Sequence, residues 1–352
     1  MNKGRVWESK TARRRLMAAL AGCAALALVA GIAPSAHAAT AIRFSLNWKA
    51  DGSNAAFYLM EDRGYFKQEG LDVTLDAGIG SSAVITRIAS GAYDAGFGDI
   101  NTMVQFDAEH PDKEQEAVLV FYDRSPMAVI TLKKYGIEKP LDLIGKTIGA
   151  PQQDTGYQMF PTFAKKTGID MSKIKFENVA PNLREPLLVK GDVQAVTGFD
   201  STSWFALKGL GVPRDQVKIF YYADYGLNLY SNSILVSKAF AEKHPAAIKG
   251  LVRAVVRGYM AAYKDPKAAI AALVKHEPLT KPDIELEKLH WLFDNQIATA
   301  HAKAKGFGTV DPKRLEEGID VVVSTFHLKR KPTVAEIYTG KFLPPLADRK
   351  FP

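Results

Sequence analysis

Gly91-Ala92-Tyr93-Asp94-Ala95-Gly96-Phe97-Gly98-Asp99 is answered a hundred residues later by Gly191-Asp192-Val193-Gln194-Ala195-Val196-Thr197-Gly198-Phe199-Asp200. Gly91, Ala95, Gly98 and Thr102 stand opposite Gly191, Ala195, Gly198 and Thr202. Each stretch closes a similar unit: Gly70-Leu71-Asp72 or Gly168-Ile169-Asp170, an apolar strand, a loop and a helix. Helix–glycine–strand is common in α/β proteins, but two matched units in one chain predict two lobes facing each other. A gap between such lobes suits a small molecule. Two copies are too few for a solenoid.

Outward from these stretches, strands alternate with helices, which predicts an α/β protein with mixed, largely parallel sheets. The first unit reads as strands at 42–47, 73–77, 95–98, 118–122 and 127–131, with helices at 55–63 and 83–90, the second capped by Ser81-Ser82. The second unit reads as strands at 146–150, 174–178, 195–199 and 217–221, with helices at 157–166 and 183–190. Tyr222 to Asn228 lacks periodicity and reads as a connector, and Ile234 to Val236 as a return strand. Helices then fill 246–264, 267–275, 284–298 and 312–326. Right-handed crossovers place the loops at the C-terminal strand ends on one edge of each sheet.

The first 38 residues read as a secretory signal peptide: Arg13-Arg14-Arg15, a 17-residue apolar run from Leu16 to Ile32, Pro34, then Ala36-His37-Ala38 as a cleavage triplet. The run is short for a membrane span. Leu20-Ala21-Gly22-Cys23 resembles a lipoprotein cleavage box, but the apolar run continues past Cys23. Six basic residues against Glu8 put five of the chain's eight net positive charges in this leader. The remainder is near +3 by subtraction and holds no dense basic run, which removes the main support for nucleic-acid binding. The single cysteine also lies in the leader, so the rest has no thiolate nucleophile, disulfide or cysteine metal site. Export without disulfides suits a bacterial periplasmic protein.

Helix N-termini carry free N–H groups and partial positive charge. Gly80-Ser81-Ser82 and Asp154-Thr155-Gly156 place hydroxyls beside such donors, one loop in each unit. They read either as plain caps or as the two grips of a shared site. Asn47-Trp48 follows the first strand, and Trp48 reads as a flat wall for a planar ligand or as core. Tyr58 and Tyr157 are candidates from the two facing helices, with packing as the alternative. Asp51, Asp99, Asp154 and Asp200 sit at loop positions, where carboxylates either accept from a ligand's N–H groups and repel anions or serve as caps and solvated surface groups, the reading that fits at least half of them. Asn101 opens the helix after Asp99. Arg87 and Arg184, on the two early helices, could reach a carboxylate or sulfonate in bidentate fashion but read mainly as solvated. The seven histidines are scattered without metal-ligand spacing. Gly-x-Ser-x-Gly, phosphate-loop and dinucleotide fingerprints are absent.

Phe44-Ser45-Leu46-Asn47-Trp48, Gly64-Tyr65-Phe66-Lys67-Gln68-Glu69-Gly70-Leu71-Asp72-Val73, Ser90 to Gly98 and Gly145-Lys146-Thr147-Ile148-Gly149 together resemble the sulfonate-binding and thiamine-pyrimidine family of periplasmic solute-binding proteins. The resemblance spans nearly all of the chain after the leader. It implies a type II two-lobe fold, with lobes at 39–128 plus 229–352 and at 129–228, crossing near Ser125–Leu132 and Tyr222–Ser231. It implies a monomeric substrate-binding component of an ABC importer, partnered by a permease and its ATPase, without cofactor or metal. Relatives bind sulfonates, taurine, nitrate, aromatic acids or pyrimidines; the Leu-Asn-Trp opening looks closest to the pyrimidine branch. That points to Trp48, Ser81, Ser82, Asp99 and the Asp154-Thr155-Gly156 loop. Lys49-Ala50-Asp51 departs from the family's Pro-Asn-rich stretch, which leaves sulfonate or carboxylate ligands open. A pyrimidine-building enzyme shares this fold; its cysteine-rich segment has no counterpart here.

Overall fold

The computed structural model describes residues 39–352. The expected leader, its cleavage site and Cys23 lie outside the described residues. Two five-stranded sheets organise the chain. The first contains β1 (Thr40–Ser45), β2 (Leu71–Asp76), β3 (Ala95–Asp99), β4 (Gln115–Val120) and the late strand β10 (Asn232–Ser237), in the order β2-β1-β3-β10-β4. The second contains β5 (Met127–Leu132), β6 (Thr147–Ala150), β7 (Lys175–Asn178), β8 (Ala195–Phe199) and β9 (Val217–Tyr221), in the order β7-β6-β8-β5-β9.

The two orders are one order. In each sheet four strands run the same way, and the fifth, inserted next to last, runs against both neighbours. That reversed strand is the one arriving from the other sheet: β5 after the first passage and β10 after the second. Phe44 pairs with Ala95 in the first sheet, and Ile148 with Ala195 in the second, so the duplicated residues hold matching registers. Gly91 and Gly191 both take the left-handed conformation after their helices, at φ 71° and 103°, which favours glycine at both places. The first passage occupies residues 121–126, earlier than expected, because 127–132 already form β5. The second occupies 222–231.

Burial follows the two-residue period of a strand. Met127 and Val129 of β5 join the large core, while Ala128, Ile130 and Leu132 join a second cluster with Leu188, Val196 and Trp204. Beneath the first sheet, Phe57, Phe97, Phe121 and Tyr259 pack edge-on or tilted, with ring centres 4.4–6.2 Å apart. Burying each such ring contributes about 1.5–3 kcal/mol.

Helices cover both sheets: α1 (Ala55–Asp62), α2 (Ser81–Ala89), α3 (Ile100–Glu109), α4 (Thr155–Gln158), α5 (Phe160–Thr167), α6 (Arg184–Lys190) and α7 (Asp200–Gly209). The C-terminal part adds α8 (Pro245–Lys264), α9 (Pro266–His276), α10 (Pro282–Leu292) and α11 (Pro312–Phe326). Each of these four starts on its proline rather than after it, because the missing N–H is one that a first turn leaves unpaired anyway. The helix expected over 284–298 ends at Leu292. It gives way to a π turn at Phe293–Ile297, where the Ala298 N–H bonds back to Phe293. No helix among the described residues is long and apolar enough to cross a membrane. α8 and α9 pack on α1, whereas α10 packs on α7 and so ties the C-terminal part to the second sheet.

Candidate functional site

Two helix beginnings meet where the lobes touch. α2 starts at Ser81 itself, with Gly80 ahead of it and no side-chain cap, so Ser81-Ser82 do not cap a helix starting at Ala83. In the second lobe, Asp154 caps α4 by accepting the Tyr157 N–H at 3.2 Å, and Thr155 is the first helical residue. The Thr155 hydroxyl donates to Ser81 Oγ across the lobes at 2.9 Å, and the Ser82 N–H donates to the Gln153 carbonyl at 3.3 Å. These loops are not equivalent in the duplication: Ser81 follows the second strand of its unit, Thr155 the first. They meet because the lobes face each other. A Cβ on Gly80 would stand 1.9 Å from the Gln153 oxygen, so this approach requires glycine.

Behind this contact lies a chamber of about 10 Å³ lined by Asn47, Trp48, Ser81, Asp154, Thr155 and Arg184, among others. That is room for one water molecule. The Arg184 guanidinium, from the second lobe, sits 5.1 Å from the Trp48 ring centre of the first, a cation–π contact. Arg184 is 1% exposed, which overturns its reading as a solvated residue. Its Nε donates to Glu185 at 2.7 Å, and its Nη1 to Asp154 at 3.3 Å and to the Thr197 carbonyl at 3.1 Å. Gly198 makes the room: a Cβ there would stand 2.5 Å from Arg184 Nη1. Three polar atoms around the contact are buried and find no hydrogen-bond partner among the described residues: Asn47 Oδ1, Trp48 Nε1 and Arg184 Nη2. An unmet buried group costs about 1–3 kcal/mol. Arg87 stays within the first lobe, donating to Ser45 Oγ at 2.9 Å and the Ala77 carbonyl at 3.2 Å.

A second buried cation stands close by. Lys288 on α10 bonds Asp51 at 3.1 Å and Glu285 at 2.7 Å. Asp51 also accepts the Ser53 N–H at 2.9 Å, and Glu285 the Gly52 N–H at 2.6 Å. Two buried cations are thus each bracketed by two carboxylates, leaving an excess of negative charge around Trp48. Burial works against the charge of Arg184 and Lys288, but the paired carboxylates more than offset it and raise both pKa values. Burial lifts Asp154 to about 6 despite Arg184 beside it. Asp51 borders a wider cavity of about 390 Å³, which shares Trp48 and Thr202 with the small chamber and is walled by both lobes.

The remaining expected residues lie elsewhere. Asp99 is buried as the cap of α3, accepting from Asn101 N at 3.0 Å, Thr102 N at 2.9 Å and the Ser231 hydroxyl at 2.9 Å. Asn101 donates to the Tyr230 carbonyl at 2.7 Å, so both residues anchor the second passage. Asp200 takes hydrogen bonds from Gln296 at 2.6 Å, Trp291 at 3.1 Å and Tyr221 at 3.2 Å, and fastens the second lobe to α10 and the π turn. Tyr58 packs against His276 in a tilted arrangement with ring centres 4.9 Å apart, and burial pushes its phenol up to about 12. Tyr157 meets Phe176 edge-on, and the Gly156 carbonyl accepts the Tyr222 hydroxyl at 2.7 Å. The Ser82 carbonyl accepts from Thr86 at 3.0 Å. None of Tyr58, Ser82, Asp99, Asn101, Gly156, Tyr157 and Asp200 lines the chamber.

Ser53, Phe199 and Thr202 also line the chamber, and Lys288 lines the cavity beside it. Sequence reasoning passed over all four. The missed signal was register. Arg184 stands a hundred residues from Val84, an apolar position of the first unit, and Lys288 follows Ile284 by one helical turn. A charge where the pattern asks for an apolar side chain marks a polar interior.

The family model described as NMT1/THI5 like matches residues 52–269. The chain is 25% identical over 261 residues to the formylaminopyrimidine-binding protein of Halalkalibacterium halodurans, covering 72% of this chain and 77% of that protein. It is 28% identical over 250 residues to the 4-amino-5-hydroxymethyl-2-methylpyrimidine phosphate synthase of Aspergillus parasiticus, covering 68% and 71%. Among solved structures, the alkanesulfonate-binding protein SsuA from Xanthomonas axonopodis pv. citri, bound to MOPS, superposes with a TM-score of 0.67 at 15% identity, covering 85% of this chain and 98% of that one. At that identity the likeness speaks for the fold, which is the two-lobe periplasmic-binding-protein fold with two passages between the lobes. The chain belongs to the NMT1/THI5-like family.

Proposed function

We propose that this NMT1/THI5-like protein is the substrate-binding component of an ABC importer, holding a planar nitrogen heterocycle of pyrimidine type between its lobes for delivery to a permease. The reading rests on the three unpartnered atoms at the Trp48–Arg184 contact. Trp48 Nε1 and Arg184 Nη2 want an acceptor, Asn47 Oδ1 wants a donor, and the indole offers a flat face. An aminopyrimidine carries ring-nitrogen acceptors, an amino donor and a π face. A sulfonate or carboxylate has no donor for Asn47 and meets four carboxylates against two cations. The name of the Halalkalibacterium halodurans relative agrees with this preference.

The rigid bodies that close on the guest are residues 39–128 with 229–352, and 129–228, allowing for the two residues by which β5 reaches back to Met127. The 38-residue leader directs the monomer to the periplasm. A thermal-shift panel of aminopyrimidines, alkanesulfonates, taurine and aromatic carboxylates tests the ligand class. An aminopyrimidine at a hundredfold excess over its Kd stabilises the fold by about 2.7 kcal/mol. Stabilisation by alkanesulfonates and not by aminopyrimidines would overturn the assignment. Because one relative is named a synthase, mass analysis after incubation separates binding from turnover: return of the intact pyrimidine supports the transport role, and a converted product contradicts it.

A further inference from the structure

We infer that the guest is a two-part molecule: a heterocyclic head at the Trp48–Arg184 contact, and an uncharged or cationic arm lying in the adjoining cavity of about 390 Å³. This rests on the binding reading above and adds the size and charge of the guest. With the lobes in contact through Ser81 and Thr155 the small chamber leaves only about 10 Å³, so the head enters where the lobes part there, whereas the adjoining cavity is some forty times larger and continues from it along Trp48 and Thr202. Trp48 and Ala50 of the first lobe face Pro181, Phe205 and Ala206 of the second across it. An arm between those walls touches both lobes and adds to the closed state directly.

The charges select against an anionic arm. Lys288 is the one buried cation among the described residues of this cavity, and Asp51 and Glu285 already hold it. Glu185 is taken by Arg184 and by the Ser203 hydroxyl at 2.8 Å. Exposed Lys49 and Lys281 line the cavity together with Glu277, and Lys281 donates to the Gly209 carbonyl at 3.0 Å. A phosphate there would meet four carboxylates against three lysines, of which Lys281 and Lys288 already hold acceptors, while a cation or hydroxyl would find acceptors.

The test is calorimetry with one head and three endings: 4-amino-5-hydroxymethyl-2-methylpyrimidine, thiamine, whose thiazolium arm is cationic, and thiamine monophosphate. The arm-bearing cation binds at least tenfold more tightly than the bare head, and the phosphate loses that gain. Ala206→Trp, which fills the cavity, collapses the ratio between thiamine and the bare head. Should that variant fail to fold by circular dichroism, Ala206→Leu replaces it. A bare head that binds as tightly as thiamine to the wild-type protein, or a phosphate that binds best, overturns the inference while leaving the head site standing. Failure of all three to bind would instead sink the pyrimidine reading itself.

Discussion

The same backbone position serves two opposite purposes in the two halves of this molecule. In the first unit Val84 packs on the strand glycines Gly96 and Gly98, with its Cγ1 against the places where their side chains would be. In the second unit the equivalent residue is Arg184, and the equivalent Gly198 gives room to a guanidinium. One is ordinary core. The other is a buried charge held by Asp154 and Glu185 and turned toward the opposite lobe's indole. A duplicated frame thus makes visible the place where one copy departs from the apolar pattern that the frame itself tolerates.

The harshest way to break the comparison is to make the halves alike. Arg184→Val leaves Asp154 and Glu185 buried without their cation, and should cost about 3–5 kcal/mol of stability in denaturant titration. A loss below about 1 kcal/mol would mean that Arg184 is as replaceable as its counterpart. Gly80→Ala acts on the junction instead. Its methyl collides with Gln153 across the lobes, so closure carries an overpacking cost of about 1–3 kcal/mol. Guest affinity should fall by a corresponding factor, the positive φ of 142° at Gly80 should lower the melting temperature as well, and small-angle scattering should show a larger radius; an unchanged radius would remove Gly80 from the closing surface. Trp48→Leu keeps apolar bulk but removes the aromatic face, which weakens guest binding by about 0.5–1.5 kcal/mol in calorimetry.

The subtlest difference is in protons. Burial raises Asp154 from 3.8 to about 6, so the folded state holds this proton more tightly than the unfolded state does. The contribution to stability is therefore fully present below 3.8 and is lost as pH rises through about 6. Compared with Asp154→Asn, the wild-type protein should gain stability as pH falls across that window. Parallel melting profiles of the two proteins from pH 4 to pH 7 would show that Asp154 does not carry the shift.

The frame was legible because its signals are local and repeated. Gly91 and Gly191 mark helix ends whose backbone requires positive φ, and Ala95 and Ala195 begin buried strands at matching registers. Asn47, Trp48, Ser81, Asp154 and Thr155 could be named because each follows a strand or opens a helix on the edge where the lobes meet. For the other carboxylates the sequence left capping and ligand binding as alternatives, for one physical reason: an aspartate at a helix start satisfies its neighbours' N–H groups equally well facing a cleft or facing the core. Asp99 and Asp200 took the second course.

By itself, then, the sequence determined two α/β lobes, the loops at their strand ends, and the family. The lobes and loops follow from periodicity, turn residues and spacing, which act over a few residues at a time; the family follows from the likeness of whole motifs in their order. Tertiary structure alone decided that Arg184 is buried, that Lys288 and Asp51 pair across 237 positions of the chain, and that polar atoms of Asn47, Trp48 and Arg184 are left without partners where the lobes meet. Burial and pairing depend on side chains brought together from opposite lobes, and no local pattern records which distant group a charge will meet.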